Sequence, residues 1–112
     1  QEAIKQVHVA TPIKEYLVRL VHKTRETPDV YLGASPRGSL TLYRMGQARA
    51  AVQGRDFVLP DDIKAIAVPA LAHRVILAPG ARLREQTPEA VVTAILKETP
   101  VPEAKEDLQK GD

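Results

Sequence analysis

Apolar residues recur at helical spacing along much of the chain, most clearly in the stretch that follows Thr11-Pro12. There they fall at positions i, i+3, i+4, i+7 and i+8, which is the spacing of one face of an amphipathic helix. Proline suits the start of a helix because the N–H that it lacks would have no partner there. The pattern predicts a first helix from Thr11 to about Thr24, with a packing face formed by Ile13, Tyr16, Leu17, Leu20 and Val21.

The same proline start recurs further along the chain and predicts helices at about 36–53, 60–67 and 88–97. The helix at 60–67 should end early because Pro69 has no N–H with which to continue it. The apolar runs at 57–59 and 75–77 are predicted to be extended and to pair with each other. Residues 78–86 are predicted to form a loop.

These elements predict an all-α fold, a small helical bundle of four to five helices with at most a short two-stranded β element. A chain of 112 residues, 44% of them hydrophobic, is long enough for one domain with one core. Residues 1–10 are predicted to be a lead-in, 11–97 the helical domain and 98–112 a flexible tail.

Charge and residue content exclude several classes of protein. A formal net charge of +2 argues against a dedicated nucleic-acid binder, which usually concentrates basic residues on one face. The absence of cysteine excludes disulfides and thiolate metal sites. No apolar run approaches the roughly 18 residues that cross a bilayer, and no signal peptide is visible, so a cytoplasmic location is expected. Because the chain begins with Gln1 instead of Met, we expect it to be a piece of a larger protein.

Apolar side chains surround most of the helix predicted at 36–53. On a wheel of about 100° per residue, one narrow polar sector holds Ser39, Gly46, Arg49 and Gln53, with Leu42 among them. A helix that is apolar nearly all round is predicted to be buried and central. Ala48→Asp should then unfold the domain, because it would bury an unpaired carboxylate. Arg37 and Arg44 project together, away from the polar sector, and need an anion to meet them.

The start of this helix has the properties of an anion-binding corner. Ser35 is a natural N-cap, and Pro36 fits the first helical position. Arg37 follows in the first turn, where a cation faces the positive end of the helix dipole at a cost of about 0.3–1 kcal/mol. Free amides and the dipole both favour negative charge there, and a guanidinium is suited to phosphate oxygens. The anion could equally be an Asp or Glu side chain of this chain.

Other candidate sites in the sequence have simpler interpretations. Residues 33–39 share the spacing G-x-x-x-x-G-S with a phosphate-binding P-loop, but the lysine is missing and the proline removes an amide. Asp61 and Asp62 point about 100° apart on a helix, which favours dipole compensation over a catalytic pair. The histidines lack the spacing of metal ligands. A solvated loop is favoured over an anion patch for the remaining basic residues, Arg74, Arg82 and Arg84.

Several motifs in combination resemble the C-terminal part of MoxR-type AAA+ ATPases, over about residues 7–97. In AAA+ proteins this region is the small α-helical lid over the nucleotide. Upstream, Tyr16-Leu17-Val18 and Thr24-Arg25 of this chain resemble the segment that leads into the lid in that family. The motifs that carry the resemblance are Leu32-Gly33-Ala34-Ser35-Pro36-Arg37, Ala48-Arg49-Ala50-Ala51, Gly54-Arg55-Asp56-Phe57-Val58-Leu59-Pro60-Asp61-Asp62-Ile63 and His73-Arg74-Val75-Ile76-Leu77.

The resemblance implies specific roles for the corner. Arg37 matches the sensor-2 arginine, a catalytic contact to the γ-phosphate of ATP, and Gly33, Ser35 and Pro36 complete the nucleotide-binding segment. The Walker A lysine and Walker B acid of the family are not in this sequence. ATP and Mg²⁺ are therefore expected in the parent protein, whereas the fragment alone is expected to bind no cofactor and to hydrolyse no ATP.

The resemblance also implies partners. These are an N-terminal AAA+ core of the same chain, preceding the lead-in, and neighbouring subunits of a homo-oligomeric ring, often a hexamer. Such proteins act as chaperone-like factors on client proteins, and neither a membrane segment nor nucleic acid is expected.

Two other functions remain open from the residues alone. One is a helical nucleic-acid-binding module that uses Arg37, Arg44 and Arg49. The other is a protein-interaction domain in which Arg37 is buried and paired with an acid of the same chain.

Overall fold

A bundle of five α-helices with one two-stranded sheet makes up the computed structural model, which describes residues 6–102. The predicted all-α class, helix number and short β element are confirmed. Ile4 and most of the predicted tail lie outside the described residues. The elements are α1 Thr11–Glu26, β1 Val30–Leu32, α2 Pro36–Val52, α3 Pro60–Leu71, a 3₁₀ turn Ala72–Arg74, β2 Ile76–Leu77, α4 Pro79–Leu83 and α5 Pro88–Glu98.

The core lies where α1, α2, α3 and α5 meet. The apolar residues predicted to form the packing face of α1 are all buried. They face α2 and α3, and α5 packs against both α1 and α3. Aliphatic side chains and alanine fill the space between the helices, among them Leu42, Ala50, Ile63, Leu71, Val92 and Ile95.

The buried face of α2 differs from the one expected. Leu42 and Gly46, which lie in the sector predicted to be polar, face the core, whereas Arg37 and Arg44 are exposed on the opposite side. The reason is close packing against α3: a Cβ on Gly46 would lie 2.7 Å from Ile63 Cδ1. The expectation of a helix buried on nearly all sides is wrong, because the wheel shows residue types without showing where the neighbouring helix lies.

Helix α3 continues through Pro69 to Leu71, beyond the end predicted at Ala67. Proline removes one backbone hydrogen bond and clashes with the carbonyl one turn back, but so near the helix end the disturbance is confined to the last turn. Ala70 and Leu71 are buried in the core. Their burial outweighs the local cost of the proline.

The strand pairing and the region after it also differ from expectation. β2 pairs antiparallel with β1, with an irregular register, and does not pair with residues 57–59. Phe57 instead forms a parallel bridge with His8, which donates its N–H to Asp56 O at 2.8 Å and accepts from Val58 N at 2.9 Å. The loop predicted at 78–86 contains α4, which begins with the same proline start as the other helices.

Asp62 joins the end of α2 to the start of α3 and is fully buried. Its carboxylate accepts from Arg49 at 2.7 Å, from Arg55 at 2.6 and 2.7 Å, and from the N–H of Leu59 at 2.7 Å. Dipole compensation, predicted for both aspartates, therefore describes the exposed Asp61 better than Asp62. Burial raises the pKa of Asp62, but the hydrogen bonds from Arg55, Leu59 and Arg49 outweigh burial and hold that pKa below its ordinary value.

We expect Asp62→Asn to lower the free energy of unfolding at pH 7 by about 3 kcal/mol, because two arginines lose a buried partner. A group with a depressed folded-state pKa stabilises above its unfolded pKa, about 3.9, and loses that contribution as the pH falls through the folded value. The difference in the free energy of unfolding between wild type and Asp62→Asn, measured by urea unfolding, should therefore shrink below about pH 4. An equal difference at pH 7 and pH 3 would contradict this role of the carboxylate.

The orientation of α2 yields a matched pair of variants. Ala50 is buried, whereas Ala48 lies half-buried on the side of the exposed arginines. We expect Ala50→Asp to lower the free energy of unfolding by about 3–5 kcal/mol, and Ala48→Asp to change it by less than about 1 kcal/mol. Thermal unfolding followed by circular dichroism compares the two. Equal melting temperatures for the variants would show that this orientation of α2 is wrong.

Candidate functional site

The segment between β1 and α2 is fastened to the last turn of α1. The N–H of Ala34 donates to Thr24 Oγ1 at 2.9 Å, and this hydroxyl donates to Val21 O at 2.6 Å. Arg25 Nε donates to the carbonyl of Ala34 at 3.0 Å. Both polar backbone groups of Ala34 are therefore held by α1, which sets where α2 begins.

Gly33 lies where this segment passes closest to α1. A Cβ at this position would lie 2.7 Å from both the carbonyl carbon and the carbonyl oxygen of Thr24, and 2.8 Å from Arg25 Cα. These are backbone atoms, which cannot rotate away as a flexible side chain would. Glycine is therefore required by the close approach of two backbones.

The first turn of α2 forms as predicted. The Ser35 side chain caps the helix by accepting from Arg37 N at 3.2 Å, and Pro36 occupies the first helical position. The residues predicted to bind nucleotide thus meet at one corner, with Ser35, Pro36 and Arg37 exposed and Gly33 half-buried. Nucleotide binding at this corner stays a prediction.

Arg37 is exposed, and no acid between residues 6 and 102 serves as its counter-ion. Among residues 6–102, neither Arg37 nor Arg44 forms an ion pair with an acid, whereas Arg49 pairs with Asp62. The three arginines proposed for a nucleic-acid module therefore differ: Arg37 and Arg44 are exposed, whereas Arg49 pairs with a buried carboxylate. A buried Arg37 paired with an acid of this chain, the mark of the interaction domain, does not occur within the described range.

An apolar surface borders the corner. Val18 of α1 is 53% exposed and Leu40 of α2 is 52% exposed, and both line a shallow groove with Pro36. On the other side of the corner, Tyr31 and Leu32 of β1 are also exposed. Pro36 lines both the groove with Val18 and Leu40 and a second groove with Tyr31 and Leu32, and Arg37 follows Pro36 in the chain.

Sequence reasoning missed the direct contacts of two side chains near the corner. In the sequence, Thr24 and Arg25 stand out only through the family resemblance, and no local pattern shows that they bind the backbone of Ala34.

The basic residues near the end of the chain differ in their contacts. Arg74 donates from Nη2 to Thr41 Oγ1 at 3.0 Å, whereas Arg84 donates to Asp29 at 2.7 Å in another part of the fold. Arg74 and Arg84, which the sequence analysis treats together, therefore lie in different surroundings.

The part of the chain that the structure describes contains no group of three or more His, Cys, Asp or Glu residues placed to hold a metal ion. No helix between residues 6 and 102 has the length and apolar character needed to cross a membrane.

Comparison with known proteins places this geometry in a family. The model of the AAA lid domain family matches residues 22–95, which include β1, the corner and α2 through α4. The chain belongs to the AAA lid domain family, in the form found in MoxR-type AAA+ proteins. The match spans well over half of the chain and agrees with the resemblance noted from the motifs.

Relatives of the lid carry MoxR names in several bacteria. The lid is 43% identical over 102 residues to YeaC, an uncharacterised protein of Bacillus subtilis, covering 91% of this chain and 32% of that protein. It is 32% identical over 120 residues to the chaperone MoxR1 of Mycobacterium tuberculosis, covering 99% of this chain and 32% of that protein. The lid therefore spans about a third of the length of these relatives.

A solved structure shares the fold of the lid. The crystal structure of a candidate ATPase from Cytophaga hutchinsonii superposes with a TM-score of 0.86 at 30% sequence identity. The superposition covers 91% of this chain and 34% of that one.

The close approach at Gly33 can be tested against a glycine in open surroundings. We expect Gly33→Ala to lower the free energy of unfolding by about 1–3 kcal/mol, since backbone atoms must move to admit the methyl group. It should also speed hydrogen exchange at the Ala34 amide, which depends on Thr24. Gly80→Ala is the control, because its Cβ would meet only Arg84 Nη1 at 3.7 Å. If both variants melt at the wild-type temperature, the contact is not as tight as described.

Proposed function

We propose that the lid closes over ATP bound by a core domain of a longer chain, and that Arg37 then contacts the γ-phosphate. The observation that carries the proposal is the exposed guanidinium of Arg37, which has no acidic partner within residues 6–102. A phosphate oxygen would supply the anion that the helix N-terminus and the guanidinium both favour.

Nucleotide binding by the lid alone would be incomplete. The sequence lacks the lysine and the acid with which AAA+ cores hold phosphate and Mg²⁺, so both cofactors are assigned to the core. The exposed apolar side chains around Pro36 provide a surface on which that core could dock, with Val18 and Leu40 lining one groove and Leu32 another. Docking there would bring the phosphates to the corner formed by Gly33, Ser35, Pro36 and Arg37.

The chemistry assigned to Arg37 is electrostatic. A positioned guanidinium stabilises the charge that develops on the γ-phosphoryl oxygens as the bond between the β- and γ-phosphates breaks. Once phosphate leaves, Arg37 loses its anion, and the closed position of the lid loses that stabilisation. Nucleotide state is thereby coupled to the position of the lid.

Membership of the AAA lid domain family supports a proposal for the assembly and role of the longer protein. We assign it to a homo-oligomeric ring, a hexamer in our proposal, in which the lid transmits nucleotide state to a neighbouring subunit. The name of the Mycobacterium tuberculosis relative, a chaperone, supports remodelling or maturation of client proteins, and we propose that this takes place in the cytoplasm.

We expect Arg37→Ala to lower ATP turnover by the full-length protein by at least about tenfold, because it removes a charge that acts in the transition state. Arg37 is exposed, so the 112-residue chain carrying the substitution should keep its wild-type melting temperature. Phosphate release assays measure turnover. Arg82→Ala, which removes an exposed arginine of α4, is the control and should leave turnover unchanged. Wild-type turnover in Arg37→Ala would refute the assignment.

A further inference from the structure

Arg74 lies close to the corner although it comes from a different element. It ends the 3₁₀ turn that follows α3, and its Nη2 donates to Thr41 Oγ1 on α2 at 3.0 Å. The same hydroxyl donates to the backbone carbonyl of Arg37 at 3.1 Å. Two hydrogen bonds therefore connect the guanidinium of Arg74 to the residue proposed to contact the γ-phosphate.

The surroundings of Arg74 are cationic. Arg37, Thr41 and Arg44 are spaced four and three residues apart, so they share one face of α2. Within residues 6–102, none of Arg37, Arg44 and Arg74 forms an ion pair with a carboxylate. Thr41, the partner of Arg74, thus lies on the face of α2 that carries Arg37 and Arg44, and like charges near one another repel unless an anion compensates them.

A neutral hydroxyl does not balance the charge of a guanidinium. Hydrogen bonds in which the donor or the acceptor is ionised are about twice as strong as those between neutral groups, so the bond to Thr41 can orient Arg74 along α2. It adds no negative charge, and within residues 6–102 no carboxylate pairs with Arg74. The guanidinium offers several N–H donors, so it can keep one hydrogen bond to Thr41 while others bind an anion.

We propose that Arg74 is a second phosphate-binding residue, which contacts the terminal phosphate of a nucleoside triphosphate together with Arg37. The proposal rests on the function assigned to Arg37 above. Thr41 acts as a positioning residue, since it holds the guanidinium of Arg74 next to the first turn of α2 before the nucleotide arrives. Two cations from different elements would then converge on one anion and hold it from two directions, whereas a single exposed arginine would hold it from one.

The test measures nucleotide affinity in the full-length protein, with an ATP analogue that resists hydrolysis and with ADP. We expect Arg74→Ala to weaken binding of the analogue by about tenfold, the size of one charge-assisted hydrogen bond, and to change ADP affinity by less than about twofold. Arg74→Lys should restore part of the affinity because it keeps the charge. Thr41→Val should show a smaller loss because Arg74 remains but is less well oriented.

Controls separate this role from others. Arg82→Ala removes an exposed arginine of α4 and should leave both affinities unchanged. Wild-type melting of Arg74→Ala, together with selective loss of the triphosphate, would support phosphate binding over a structural role. Equal losses for both nucleotides, or a change in subunit assembly without a change in affinity, would overturn the proposal.

The two proposals fail in different ways. If Arg37→Ala weakens binding of the analogue and Arg74→Ala does not, the inference about Arg74 is wrong and the function of Arg37 stands. If neither substitution affects affinity or turnover, both are wrong.

Discussion

The position of Arg37 depends on the attachment of Ala34 to the last turn of α1. Thr24 Oγ1 accepts a hydrogen bond from the N–H of Ala34, and Arg25 Nε donates one to its carbonyl. Gly33 lets the two backbones approach, because it has no Cβ. Leaving a buried backbone group without a partner costs about 1–3 kcal/mol, so the segment is held at this place. The first turn of α2 is therefore placed by α1, and a movement of α1 against another domain would carry Arg37 with it.

The other end of α2 is held by the buried carboxylate of Asp62. Arg49 and Arg55 pair with it, and the N–H of Leu59 completes its hydrogen bonding. Contacts near both ends of α2 therefore fix the position of its exposed face.

The carboxylate of Asp62 also divides the arginines of this region into two groups. Those that meet Asp62 hold the fold together, whereas Arg37 is exposed and has no acid to pair with among the described residues.

Predictions that rested on neighbouring residues were the most accurate. The spacing of apolar residues identified the buried face of α1, and Ser35 caps α2 through its side chain as predicted. Errors arose where a distant element decides the outcome. β2 has its partner in β1 and not in residues 57–59, and the end of α3 is set by burial of Leu71 in spite of Pro69. The boundaries predicted for the lead-in and the tail stay predictions.

By itself, the sequence determined that most helices begin at a proline, that the chain has the motifs of a lid domain, and that Arg37 lies in the first turn of a helix. These properties depend on residues within a few positions of one another, where backbone geometry and capping act directly. Only the tertiary structure decided which side of α2 faces the core and which cations have an acid to pair with. Those outcomes depend on contacts between residues far apart in the chain, such as Gly46 with Ile63 and Arg74 with Thr41.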